Sequence, residues 1–101
     1  MAKAGDIFVA TWGYDQTNAN FFQVTNVTTK SVKVRPIKSK TIDKKDQSMT
    51  SHAIPMKNSF DGASKTKRIY LYEGREMFQA GDSMGSAEEW DGQPVAISWY
   101  G

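Results

Sequence analysis

The stretch Asp6–Ile37, DIFVATWGYDQTNANFFQVTNVTTKSVKVRPI, decides the fold because three of its segments alternate as β-strands do. The segment DIFVATW (6–12) carries apolar residues on both faces, and we assign one of these rows to the core. The segment FFQVTNVTT (21–29) is rich in aromatic and β-branched residues, which favour strands. Its alternation slips between Val24 and Val27, which predicts a β-bulge.

The segment KSVKVRPI (30–37) has the clearest strand pattern of the chain. Two valines point to one face, whereas Lys33 and Arg35 point to the other. Pro36 has no N–H to donate, so it restricts this strand to an edge or an end of the sheet there. The short connections between the three segments indicate a meander.

The second half of the chain is less regular. Residues 38–67 are polar and short of periodic apolar positions, so we predict a long excursion with at most one short strand near SHAIPM (51–56). RIYLYEGREMFQAG (68–81) predicts a hairpin that turns at Glu73-Gly74. SAEEWDG (86–92) has the spacing of a capping box, which predicts one helical turn. The segment VAISWY is then a last strand that can close a barrel against the first.

Together these segments predict one domain over residues 1–101, with a mainly β fold. We expect a small, strongly bent antiparallel sheet or an SH3-like barrel, with one short helical turn and the polar excursion at about 38–67. A small α+β sheet is the alternative. The chain has no cysteine, no apolar run that would span a membrane, and a beginning unlike a secretory signal. We therefore expect a soluble protein of the cytoplasm.

The net charge is only +2, but the charges are segregated along the chain. Residues 30–45 hold seven basic residues and one acid, whereas residues 73–91 hold six acids and one basic residue. Such an asymmetry can direct a polyanion to one face of the protein. The alternative is that the two segments lie side by side and neutralise each other.

Catalytic and metal-binding patterns are weak. The single histidine, His52, has no nucleophile and orienting acid at a familiar spacing, and no phosphate-binding glycine loop is present. We therefore expect neither an enzyme nor a cofactor or metal. An enzyme that uses Asp15, with a second acid or His52, is the least favoured hypothesis.

The sequence contains more residues suited to a binding surface than to a catalytic or metal site. Basic strands and exposed tyrosines together are typical of small barrels that bind single-stranded nucleic acid, where lysine and arginine contact phosphates and aromatic rings stack on bases. The candidate residues for contact with nucleic acid or another partner are Tyr14, Lys30, Lys33, Arg35, Lys38, Tyr70 and Tyr72.

The motif WGYDQTN (12–18), the strand FFQV, the strand VKVR and the late WDGQP (90–94) resemble a group of small proteins encoded by bacteriophages and other mobile elements. The resemblance covers residues 5–37 well and 86–101 moderately, whereas the middle of the chain departs from it. It implies a phage or mobile-element protein that acts in the cytoplasm of a bacterial host.

Two functions follow from these observations as hypotheses. The first is a non-enzymatic domain that binds nucleic acid through the basic strand and exposed tyrosines. The second is a protein-interaction module that inhibits or modulates a host protein, such as a defence complex. A homo-oligomer that forms by pairing of edge strands is compatible with both.

Overall fold

The computed structural model describes residues 2–13, 17–42, 50–81 and 84–98, and every regular element in these ranges is a β-strand. All strand pairs are antiparallel, and the sheet order is β6-β7-β8-β1-β2-β3-β4-β9, with β5 paired to β3. The strands are β1 (Ile7–Trp12), β2 (Asn18–Val27), β3 (Ser31–Ile42), β4 (Thr50–Phe60), β5 (Lys65–Arg68), β6 (Tyr70–Tyr72), β7 (Arg75–Gly81), β8 (Gly85–Glu89) and β9 (Val95–Ser98).

The sheet curls strongly into a half-barrel, which confirms the predicted mainly β, barrel-like fold. The chain itself connects the two sides of the curl. β5 pairs with β3, and after Ile69 the chain continues as β6, which pairs with β7. Ile69 packs against the buried residues within the curl. Residues 65–72 therefore connect two strands that are far apart in the order of the sheet.

The concave side of the curl encloses the larger of two hydrophobic cores, which we call the inner core. Three phenylalanines form its centre: the ring centroid of Phe78 lies 5.1 Å from that of Phe8 and 5.8 Å from that of Phe22. All of its members come from the N-terminal segment and from β1, β2, β3, β7 and β8: Ala2, Phe8, Ala10, Phe22, Val24, Val32, Val34, Phe78, Ala80 and Ala87.

A second core, the outer core, covers the opposite face of β1 and β2. Its buried members are Val9, Phe21, Ile37 and Ala53, and residues of β9 and the segment after β8 pack against them. Trp90 contacts Phe21 edge to face, with ring centroids 6.4 Å apart. The expectation that one apolar row of the first strand is core was thus too narrow, because each row belongs to a different core.

The bulge predicted in β2 is confirmed, whereas the prediction that Pro36 marks an edge or an end is wrong, because β3 continues from Ser31 to Ile42 between β2 and its partners β5 and β4. The pairing of β2 with β3 shifts register between Val24 and Asn26, where the bulge was predicted. Pro36 lies where β3 changes its partner, after the last residue paired with β5 and before the first paired with β4. The Pro36 carbonyl accepts a hydrogen bond from the Asp61 N–H at 2.8 Å. In an antiparallel sheet the N–H and the carbonyl of one residue point to the same side of the strand. The N–H that proline lacks would therefore point to the gap between β5 and β4.

The polar excursion predicted at 38–67 is wrong for residues 38–42 and 50–67, while residues 43–49 lie outside the described part of the chain. β3 continues to Ile42, β4 has eleven residues, and β5 follows from Lys65. Polarity misled the prediction because one face of these strands is exposed to solvent. Ser51 is buried in β4 and donates a hydrogen bond to the Ile42 carbonyl at 2.7 Å, so a polar residue here fills an interior position.

Two predictions for the C-terminal part are also wrong. Residues 85–89 form β8 instead of a helical turn, because Ala87 is buried opposite Phe78 in the inner core. β9 pairs with β4 and not with the first strand. The predicted hairpin at Glu73-Gly74 is confirmed: it joins β6 to β7, and both turn residues have positive φ angles, 52° and 80°.

Candidate functional site

Two basic strands lie side by side on the outside of the half-barrel. Lys67 of β5 lies opposite Val32 of β3, and the Ile69 N–H donates a hydrogen bond to the Lys30 carbonyl at 3.0 Å. This register places three cations of residues 30–35 next to three cations of β5. We call the following set the basic strand pair: Lys30, Lys33, Arg35, Lys65, Lys67 and Arg68.

Three members of the basic strand pair share the outer face of the sheet. Val32 and Val34 point into the inner core, so Lys33 and Arg35, which alternate with them, point outwards. Arg68 lies opposite Ser31 and therefore shares that outer face. Within the described residues no member of the basic strand pair forms an ion pair with an acid.

Arg35 is held in one orientation. Its Nε donates a hydrogen bond to the Gly62 carbonyl at 2.9 Å, and its guanidinium carbon lies 4.4 Å from the centroid of the Phe60 ring. The cation–π contact and the hydrogen bond restrict a side chain that otherwise has many rotamers. Arg35 thus presents a fixed guanidinium, whereas Lys33 is exposed.

A bulge of β4 brings Phe60 to Arg35. Phe60 pairs with Ile37 of β3 and Pro55 with Ser39, so residues 56–59 have no counterparts on β3. Asn58 in this bulge has a φ of 68° and binds Gln23, which is 5% exposed. The Gln23 Nε2 donates to Asn58 Oδ1 at 2.8 Å, and the Asn58 N–H donates to Gln23 Oε1 at 2.7 Å. This amide pair anchors the bulge to β2.

The two tyrosines of β6 continue from the basic strand β5. Tyr70 is 40% exposed and Tyr72 is 60% exposed, and between them Leu71 is 71% exposed. The Tyr70 hydroxyl forms a hydrogen bond with Ser86 Oγ, so that the Tyr70 ring is fixed at one end. Both rings lie on the outer face, because Ser86 alternates with the inward Ala87 on β8.

The structure brings together five of the seven predicted site residues. Lys30, Lys33 and Arg35 lie on β3 and the connection before it, and the chain from their neighbour β5 leads directly to the two tyrosines. Lys38 is exposed but alternates with Ile37 of the outer core, so it points to the face opposite Lys33 and Arg35. Tyr14 lies outside the described residues.

Sequence reasoning missed the three cations of β5, because residues 65–68 fell within the segment interpreted as an irregular excursion. Lys65-Thr66-Lys67-Arg68 contains one threonine and three long side chains that a strand edge accommodates. The signal that would have found them is their position directly before the apolar alternation of residues 69–72.

The acidic residues lie away from β3 and β5 but next to the β6–β7 hairpin, since Leu71, Gly74 and Arg75 line the same groove as four of these acids. Glu76, Glu88, Glu89 and Asp91 line an open groove of about 930 Å³ that also includes Trp90. The ion pair that the described residues show is within this region, between Arg75 and Glu88, with an N–O distance of 3.4 Å. The alternative that the basic and acidic segments neutralise each other by pairing therefore finds no support in the described residues.

His52 is a strand residue rather than a loop residue, since it lies on β4 opposite Ile42 and Ala96. Its Nδ1 is buried and has no hydrogen-bond partner among the described residues. Those residues also contain no group of three or more histidines and acids that could hold a metal ion. Asp15, the acid of the enzyme hypothesis, lies outside the described residues, and that hypothesis stays a prediction.

Comparisons with known proteins add nothing to this geometry: no protein-family model matches the chain, and neither a curated protein nor a solved structure gives a significant match. The resemblance to phage and mobile-element proteins therefore stays a prediction. In the described part of the chain there is no helix with the length and apolar character needed to cross a membrane.

Proposed function

We propose that this protein is a non-enzymatic nucleic-acid-binding domain that contacts the phosphate backbone through the basic strand pair. The observation that carries the proposal is the pairing of β5 with β3, which gathers six cations without an acidic partner among the described residues and places three of them, Lys33, Arg35 and Arg68, on the outer face. Phosphate oxygens are the ligands that such cations bind in nucleic-acid complexes. We further propose that it acts in the cytoplasm of a bacterial host, as a phage or mobile-element protein.

The affinity of such a complex should depend on salt concentration in a way that can be calculated. Binding of a single strand releases counterions, and the logarithm of the affinity falls with the logarithm of the salt concentration with a slope of about −0.7 for each phosphate neutralised. Contact by all six cations of the basic strand pair corresponds to a slope of roughly −4. Lys65 and Lys67 lie opposite the inward Val34 and Val32, so contact by the three cations of the outer face alone corresponds to roughly −2.

A titration of fluorescently labelled 20-mer oligonucleotides, followed by anisotropy between 50 and 200 mM salt, tests the proposal. We expect affinity that falls steeply across this range. The double variant Lys33→Gln/Arg68→Gln removes two cations from the outer face, and we expect its slope to be smaller in magnitude by about 1.4. The matched control is Lys38→Gln/Lys40→Gln, which removes the same charge from exposed positions on the other face of β3.

Two results would overturn the proposal. One is the absence of binding at micromolar protein in 50 mM salt. The other is an equal loss of affinity in both double variants, because that result would show that net charge matters and the position of the cations does not.

A second candidate function, a module that binds and modulates a host protein, is favoured by the exposed apolar residues of β6. Leu71 and Tyr72 are largely exposed and adjacent at a hairpin tip. Exposed apolar patches of this kind are common at protein–protein interfaces. The test is capture of one bacterial protein by the purified domain after nuclease treatment, with loss of that protein in the variant Leu71→Ser/Tyr72→Ser.

A further inference from the structure

We infer that the nucleic acid is single-stranded and that it follows residues 65–72, with Tyr70 and Tyr72 as stacking platforms for two of its bases. The inference rests on the proposed function, and it adds the class of nucleic acid and the residues that distinguish it from a duplex. Cations of β5 and β3 hold the phosphates, and the tyrosines of β6 hold the bases.

The rings of Tyr70 and Tyr72 suit base stacking because both are exposed to solvent. The Tyr70 ring is in addition held by a hydrogen bond. Tyr70 forms its hydrogen bond to Ser86, which leaves 40% of the residue in contact with solvent. A ring that is already held in place loses little conformational freedom when a base stacks on it. Tyr72 is more exposed and lies opposite Arg75 on β7, whose guanidinium is paired with Glu88.

The spacing of the rings selects a single strand. Residues two apart on a β-strand are separated by about 6.6 Å, because the rise is about 3.3 Å per residue. Neighbouring bases in a B-form duplex are separated by about 3.4 Å along each strand. Two consecutive bases can therefore stack on Tyr70 and Tyr72 only if they are pulled apart from each other. A single strand extends in this way, whereas the bases of a duplex stay stacked and paired.

The charges along the segment agree with this arrangement. Arg68 and Lys33 share the outer face with the tyrosines, so a backbone held there leads directly to Tyr70. Beyond Tyr72 the charge changes sign at Glu73, which lies in the exposed turn of the hairpin. A carboxylate repels phosphate, so we expect the bound strand to end near this turn.

The experiment compares three labelled 12-mers at 50 mM salt: oligothymidylate, an abasic strand with the same backbone, and a duplex. Stacking contributes about 1–3 kcal/mol per base in comparable complexes, which corresponds to about 5- to 150-fold in affinity. We therefore expect oligothymidylate to bind at least about fivefold more tightly than the abasic strand and more tightly than the duplex. Oligouridylate in a fourth titration distinguishes RNA from DNA.

Substitutions assign the preference to the rings. Tyr72→Ser should reduce the preference for oligothymidylate over the abasic strand by the contribution of one base, about fivefold or more, and leave binding of the abasic strand unchanged. Tyr72→Phe keeps the ring and should keep the preference. Leu71→Ser is the matched control, since it removes an exposed apolar side chain at the adjacent position without removing a ring.

The outcomes separate this inference from the function on which it rests. Equal, salt-sensitive binding of oligothymidylate and the abasic strand would overturn the inference and leave the proposed function standing. Binding of the duplex as tight as that of the single strand would do the same. If none of the oligonucleotides binds, both the inference and the proposed function are wrong.

Discussion

The amide pair of Gln23 and Asn58 gives the sharpest test of how the site is held, through the variant Asn58→Gly. Glycine accepts the φ of 68° without strain and keeps the backbone N–H that donates to Gln23 Oε1. The variant therefore deletes one interaction, the 2.8 Å hydrogen bond between Gln23 Nε2 and Asn58 Oδ1.

The expected loss follows from the burial of Gln23. With 5% of the residue exposed, its amide N–H has little access to water once Asn58 Oδ1 is gone. A buried donor left without an acceptor costs about 1–3 kcal/mol in the free energy of unfolding. For a domain of about 100 residues this corresponds to a decrease in Tm of roughly 5–20 °C.

Glu73→Gly is the matched control, because Glu73 has a similar φ of 52° but is exposed in the turn between β6 and β7. Both variants add the same chain entropy to the unfolded state, so the difference between them isolates the amide hydrogen bond. Urea unfolding followed by tryptophan fluorescence measures both free energies. If Asn58→Gly loses no more stability than Glu73→Gly, the amide pair does not anchor the bulge.

Three further predictions concern the core, the strand junction and the charge at the end of the platform. Phe78→Ala should lower the free energy of unfolding by about 3–5 kcal/mol because its buried ring leaves a cavity, whereas Leu71→Ala should change it by less than about 0.5 kcal/mol; similar losses in urea unfolding would contradict the assignment of the inner core. Gly62→Ala should change the free energy of unfolding by less than about 1 kcal/mol, because the close contact of an added Cβ, 3.1 Å from Pro36 Cγ, offsets the entropy that the unfolded chain loses; a decrease in Tm of more than about 8 °C would contradict this balance. Glu73→Gln should raise the affinity for oligothymidylate about twofold at 50 mM salt by removing a repulsive charge, and an anisotropy titration that shows weaker binding would refute this direction.

Local patterns in the sequence predicted the elements whose form depends on local contacts. The strand alternation of residues 6–12 and 21–29, the bulge after Val24 and the hairpin at Glu73-Gly74 are all present. In each of these, the determinant lies within a few residues: alternation, a slip in alternation, or a residue that adopts positive φ.

The elements that were missed depend on partners far away in the chain. β4 contains Pro55 and a buried serine, which argue locally against a strand, and it forms because β3 and β9 pair with its two edges. Residues 86–89 match a helix cap, but burial of Ala87 against Phe78 outweighs that weak local preference. A single sequence contains no information on which strand edges meet.

In the candidate site, too, local patterns predicted some features, whereas others depend on the pairing of distant strands. Lys33 and Arg35 were predicted to point outwards from the alternation of one strand, and they do. Lys38 was grouped with them by proximity in sequence, yet alternation continues through Ile37 and turns Lys38 to the other face. The contribution of β5 depended on its pairing with β3, which neither segment reveals by itself.

The two cores determine where a binding surface can lie. Most sheets with one solvated face can bind a ligand on that face, but β1 and β2 are covered on both, by the inner core and by the outer core. The faces of β1 and β2 are therefore largely covered, and the open groove that borders Val9 and Thr11 is lined by acids that repel phosphate. Strand surface that suits a polyanion is left at the margins of the sheet. Of these margins, residues 65–72 combine a row of cations with exposed rings and connect β3 to β7. The same segment that joins the two sides of the half-barrel is thus the one best placed to bind a ligand, and a ligand bound along it would also stabilise the curl of the sheet.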